Sequence, residues 1–298
     1  MHYQPAGPGY LISDGPAPLA FDGTDLLEIR DGALIRRDAS LAEVSRLPLK
    51  DVTSFAVLRD RSLVVRVDPA DRSPQLHHVI AGKSAASYDT KRKHLAPTEK
   101  PNELWQVDPQ GVDRDEIGTN KEVAFLLPVA SHALPNGTSP EFAALADGTL
   151  AISNMVEILH ADAKTLARYA FDGACRHLAP GPEPRTLWIN DNFRSIVLAR
   201  LEGTTAKVIA RHALPPGETI LHLAGSGDHA VVVIAQTTEP APTVFELAAY
   251  TVQGERWRVP LTSPRQTFFA ALSATRVVVR AGPQYLLRAW DLASGKPA

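Results

Sequence analysis

Four histidines each stand three residues ahead of a proline: His94-Leu95-Ala96-Pro97, His132-Ala133-Leu134-Pro135, His177-Leu178-Ala179-Pro180 and His212-Ala213-Leu214-Pro215. Imidazoles converging on one point would make a metal centre. Their spacings are 38, 45 and 35 residues, too uneven to hold one phase of a repeat. The reading places His177 in the first strand of its unit and His212 in the fourth. The four are therefore expected to stay apart, and no metal or other cofactor is assigned. His77-His78 lies in a predicted strand, where neighbours point to opposite sides, so the pair does not chelate jointly.

Other sequence features with possible chemistry reduce to local structure. Gly82-Lys83-Ser84 resembles the end of a phosphate loop, but the glycine required five positions earlier is His77, and no helix is predicted to follow. No Gly-x-Ser-x-Gly elbow surrounds Ser226, whose flanks are Ala224 and Asp228. Asp147-Gly148 suits the positive φ of a tight hairpin. Asn190-Asp191-Asn192 offers oxygen ligands for a divalent cation, yet the same residues are ordinary turn formers. Glu157, Asp191 and Glu202 are isolated in sequence. No catalytic residue is assigned. The candidate binding residues are Arg92, Lys93, Lys100 and Trp105, because aromatic and arginine side chains concentrate binding energy at interfaces.

These residues must be positioned by a chain of 298 residues with 44% hydrophobic content, enough for a large core. Lys and Arg number 31 against 33 Asp and Glu. With the basic residues scattered, neither a nucleic-acid partner nor an anionic membrane is expected. Cys175 is the single cysteine, so no internal disulfide can form. Met1–Tyr10 shows no signal-peptide pattern, and the longest apolar runs are too short to span a bilayer. The expectation is a soluble cytoplasmic protein.

Apolar residues recur with a period near two in short runs. Leu63–Val67, Thr149–Ser153, Met155–His160, Thr186–Asn190, Ser195–Leu201, Ala230–Ala235 and Arg276–Arg280 read as strands bounded by turn residues. Phe55-Ala56-Val57-Leu58, Phe142-Ala143-Ala144-Leu145 and Phe269-Ala270-Ala271-Leu272 each precede a turn and another strand. Their separations of 87 and 127 residues divide into units of roughly 43 and 42, the size of a four-stranded blade. Hairpin tips near Asp22, Asp60, Asp147, Gly227 and Ala274 give a count of seven that also closes across the chain ends.

The predicted fold is an all-β, single-domain, seven-bladed β-propeller of four-stranded antiparallel blades spanning 1–298. Approximate blades are 14–49, 50–88, 89–134, 135–172, 173–214, 215–261 and 262–298. The last supplies three strands, and residues 9–13 are predicted to add the fourth, covering an exposed edge. Residues 83–122 are the least regular part. Glu103–Val107 and Val123–Leu127 are expected to be strands there, with long charged loops around them.

Arg288-Ala289-Trp290-Asp291-Leu292-Ala293-Ser294-Gly295-Lys296 resembles the third-strand ending of WD40 and quinoprotein-like blades. Tyr250–Trp257 carries a weaker version. The resemblance implies a divergent member of that propeller superfamily and no particular family within it. Loops on a rigid scaffold carry binding, so the expected function is a non-catalytic module for protein–protein interaction, with another protein as partner and no small-molecule ligand specified. A subunit of a multi-protein bacterial system is one form of that expectation. The alternative is a metal-dependent, lactonase-like hydrolase with its site at the central channel.

Overall fold

The computed structural model describes residues 19–90, 92–120, 123–135, 141–236, 244–261, 268–281 and 286–298. All the regular structure in them is β. The first sheet contains β1 (Leu19–Asp22), β2 (Asp25–Arg30), β3 (Ala33–Arg37) and β4 (Glu43–Arg46). The second contains β5 (Val52–Val57), β6 (Leu63–Val67), β7 (Gln75–Ile80) and β8 (Lys83–Asp89). The third contains β9 (His94–Pro97), β10 (Glu103–Asp108), β11 (Gly111–Asn120) and β12 (Val123–Ala133). A six-stranded fourth sheet follows: β13 (Phe142–Ala144), β14 (Leu150–Ala161), β15 (Leu166–Pro180), β16 (Thr186–Asp191), β17 (Ser195–Glu202) and β18 (Thr205–Ala213). The fifth contains β19 (Glu218–Ser226), β20 (His229–Gln236), β21 (Val244–Thr251) and β22 (Gly254–Leu261). The sixth contains β23 (Phe268–Leu272), β24 (Arg276–Ala281) and β25 (Leu286–Asp291).

Strands within each sheet run antiparallel in chain order, with one added parallel bridge between β15 and β18 at Ala170 and Thr205, and adjoining sheets meet face to face in a ring. The contact between the last sheet and the first is made by Leu19, Leu26, Ala271, Val278 and Ala289. The leading strands β19, β23 and β1 approach one another in sequence around this junction. The fold is a β-propeller.

This packing explains the strand composition. A radial sheet is covered on both sides, so its second strand loses the usual alternation of apolar and polar residues. All of β6, β10 and β16 is buried, as are six consecutive residues of β20. The outer strand β4 is exposed throughout. Tryptophans tie neighbouring sheets together. Trp105 of β10 donates its indole N–H to the Gly148 carbonyl at 2.9 Å, and Trp257 of β22 donates to the Leu292 carbonyl at 2.7 Å. Gly148 has φ +78°, and a side chain there would run into the Glu99 backbone nitrogen, so only glycine fits the turn that receives Trp105.

The sheet count corrects one expectation. Residues 142–213, divided in two by the repeat, form one hydrogen-bonded sheet, giving six sheets in place of seven separate ones. The cause is β15, which pairs with β14 through residues 166–170 and with β16 through residues 175–180. The connection between those halves is too short to break the strand. Charged loops also give way to strands across residues 83–120, because the charges there are paired with each other. The closing segment 9–13 lies outside the described residues. On the outer edge of β25, the C-terminal tail itself forms a bridge between Trp290 and Pro297, and Ala298 N–H donates to the Ala289 carbonyl at 3.0 Å.

The Trp105 staple is testable. Trp105→Phe should leave the buried Gly148 carbonyl without its donor and lower unfolding free energy by about 1–3 kcal/mol, measured by urea denaturation.

Candidate binding surface

The four candidate binding residues are not brought together. Trp105 is 0% exposed, packed between the third and fourth sheets. Arg92 and Lys93 precede β9, whereas Lys100 follows it at the opposite end of that strand. Arg92 is held at 2.7 Å from both Asp108 and Asp113. Burial opposes ionisation of Asp113, but hydrogen bonds from Arg92 and Ser131 hold its carboxyl below the usual range. Lys100 bonds Glu103, which also accepts Arg114 Nε at 2.6 Å; the Arg114 guanidinium lies over Trp105. Exposed Lys93 is the remaining candidate. The dense lysine and arginine content of this stretch thus serves largely to neutralise buried carboxylates.

The proline-linked histidines are equally dispersed. His94 lies against Phe142, His132 Nε2 meets the Asp162 carbonyl, and His212 stacks on Tyr250. Asn190 donates to His177 Nδ1 at 2.8 Å, and its carbonyl oxygen accepts Phe193 N–H. Asp191 accepts Ala174 N–H and pairs with Arg211, so the Asn190–Asn192 oxygens are engaged in turn construction. Lys83 begins a strand after an Ala81-Gly82 hairpin, with φ values of +50° and +77°. Among the described residues, no group of three His, Cys, Asp or Glu side chains is placed to hold a metal ion.

Two hydrogen-bonded constellations escaped the sequence reading. Ser62 Oγ donates to Asp60 at 2.7 Å and lies 2.9 Å from His78 Nε2. Thr149 Oγ1 donates to Asp147 at 2.6 Å and lies 2.8 Å from His160 Nε2. In a nucleophilic triad the imidazole takes the hydroxyl proton. Here the carboxylate takes it, so the imidazole must donate, and the hydroxyl oxygen is tied down. Burial lowers the pKa of both histidines, consistent with neutral side chains. The Asp-x-Ser/Thr spacing after each first strand was the available signal.

Concave surface lies chiefly between sheets. A groove of about 660 Å³ separates β16–β18 from the fifth sheet, with Ile209, Val252, Asp228, His229 and Arg256 on its walls. Ile209 and Val252 are 43% and 41% exposed. A second hollow, about 550 Å³, borders the outer edge of β25 and is lined by Leu41, Val259, Pro260, Leu287, Trp290 and Pro297. No helix among the described residues is long and apolar enough to cross a membrane.

Solved structures share this architecture. Kluyveromyces lactis Hsv2 is 12% identical over 92% of this chain and 93% of that one, with a TM-score of 0.65. A chain from the mitotic checkpoint complex is 14% identical over 96% and 92%, with a TM-score of 0.67. Chaetomium thermophilum Sqt1, solved bound to the N-terminus of ribosomal protein L10, is 15% identical over 96% and 86%, with a TM-score of 0.57. The likeness is one of fold, the β-propeller. No family model and no curated protein matches the chain.

Burial pushes the His177 pKa down to about 3 and that of His222 down to about 4. Unfolded histidine titrates near 6.5, so the unfolded chain binds these protons first. Their contribution is complete above that pH and declines as pH falls from about 6.5 towards the folded values, by up to about 1.4 kcal/mol per pH unit for each group. Urea unfolding should show lower stability at pH 5 than at pH 7, with a smaller difference in His177→Gln.

Proposed function

We propose that this chain is a non-catalytic β-propeller scaffold that binds another protein, taking an extended segment of it in the groove between β16–β18 and the fifth sheet. The observation that carries this reading is the groove's composition. Half-exposed Ile209 and Val252 stand beside Asp228, His229 and Arg256, none of which makes a side-chain hydrogen bond or ion pair among the described residues. Apolar contact with polar groups at the margin suits a polypeptide segment. The L10-bound Sqt1 structure and the mitotic checkpoint complex support the reading by showing propellers of this fold in protein assemblies.

Residues 9–13 are proposed to join the last sheet along the Leu286–Arg288 part of β25, next to the C-terminal tail that covers Ala289 and Trp290. The intervening residues 14–18 match in length the five-residue link 47–51 and exceed the four-residue link 214–217 by one, links that also run from an outer strand to the next inner one. The hollow beside β25 has apolar walls suited to Leu11 and Ile12.

Two experiments test this reading. A partner crosslinked in the source cells should lose about tenfold or more in affinity for Ile209→Glu, the scale of a buried anchor. Unchanged affinity would exclude the groove, and turnover of lactone or ester substrates would exclude the scaffold role. Deleting residues 1–13 should lower unfolding free energy by about 3–6 kcal/mol, the burial of two aliphatic side chains; an unchanged urea midpoint would remove the closing strand.

A further inference from the structure

Two bulky side chains of the six-stranded sheet occupy the left-handed backbone region, one at a bulge within β14 and one in the turn between β16 and β17. Met155 has φ +55°, and Phe193 has φ +62° beside Asn192 at +50°. Glycine or asparagine enters this region readily, whereas a bulky residue must be held there by its surroundings. Phe193 is held closely. Its N–H donates to Asn190 Oδ1 at 2.9 Å, and its carbonyl accepts Ile220 N–H at 2.9 Å. Its ring lies 5.1 Å from the Arg176 guanidinium and 6.1 Å from the His177 ring. At the Met155 bulge, the flanking Asn154 side chain donates to Glu157 at 2.6 Å.

Arg176 joins the bulge to the turn. Its Nη1 is 3.8 Å from the Met155 sulfur, while its guanidinium covers the Phe193 ring. Met155 is 41% exposed and Val156 is 67% exposed. The result is one surface of methionine, valine and half-buried phenylalanine around an arginine. A left-handed backbone does not ask for Met155 or Phe193; it disfavours them. The following residue, Arg194, directs Nη1 to the Glu218 carbonyl at 3.0 Å, and no carboxylate among the described residues pairs with it. By contrast, Glu157 is already engaged by Asn154 and Arg168, and Asp191 by Arg211. The patch therefore carries apolar area beside a cation whose charge is not matched locally.

We propose that Met155, Val156 and Phe193, with Arg176 and Arg194, form a second docking site for a partner protein. The site takes a short segment in which an aliphatic or aromatic side chain lies beside an Asp or Glu. The apolar side chain packs on Met155, Val156 and Phe193, and the carboxylate meets Arg194. This rests on the protein-recognition reading but uses a different surface from the groove at Ile209.

The test is to pan a phage library of random twelve-residue peptides against the full chain. A peptide of the selected consensus is then titrated by fluorescence polarisation. The expected consensus pairs an apolar residue with Asp or Glu. Affinity should fall about tenfold or more in Val156→Asp and in Phe193→Gly, while Ile209→Glu leaves it unchanged. Val156→Asp, at a 67% exposed position, should leave the thermal midpoint unchanged, which separates lost binding from lost folding. A consensus without an acidic residue, or affinity indifferent to both variants, would overturn the proposal. So would light scattering that shows a dimer abolished by Val156→Asp, or anionic vesicles whose binding that variant abolishes. Peptides sensitive only to Ile209→Glu would remove this site and leave the scaffold reading intact; absence of any binding peptide would count against both.

Discussion

Every sheet in this protein is apolar on two faces, and that constraint governs the rest of the structure. A strand such as β20, with six successive buried residues, leaves no face for water. One sheet alone would expose that surface, and two stacked sheets would still leave the outer faces uncovered. A ring covers both faces of each member, provided the last sheet reaches the first. Leu26 and Val278 meet across that junction. The adjoining Arg280 donates to the Ile29 carbonyl at 2.6 Å and approaches buried Glu28, so the apolar contact continues into a polar one near the axis.

Once the ring is fixed, the polar residues divide by position. Those between sheets must be satisfied there, because an unpaired buried donor or acceptor is costly. Arg92, Arg114 and Glu103 are spent in this way, as are the Asp60–Ser62–His78 and Asp147–Thr149–His160 sets. Groups at outer strands, turns and the β14 bulge are free of that requirement. Ile209, Val252, Arg256, Val156 and Arg194 belong to this second class, and recognition is accordingly proposed for them. The two proposed surfaces differ in kind, one a groove between sheets and the other a strand bulge beside a hairpin turn.

The strand pattern was legible because side-chain period and burial agree along β6, β16, β17 and β24. The repeat was legible because the Phe-Ala hairpins recur near multiples of one length. The candidate site was far less so. Trp105 among lysines and arginines looks in sequence like an exposed anchor, but a one-dimensional pattern does not reveal that Glu99, Glu103, Asp108 and Asp113 fold over those charges. The left-handed conformations of Met155 and Phe193 gave no signal, since neither residue announces one as glycine or asparagine does.

From residue order alone came the all-β character and the repeating unit, since these depend on local periodicity and phase. Tertiary structure decided which strands share hydrogen bonds, fusing residues 142–213 into one sheet, and which polar side chains are consumed internally. The reason is physical: periodicity is a property of neighbours along the chain, whereas hydrogen-bond continuity, charge pairing and exposure are set by residues far apart in sequence that only the closed ring brings into contact.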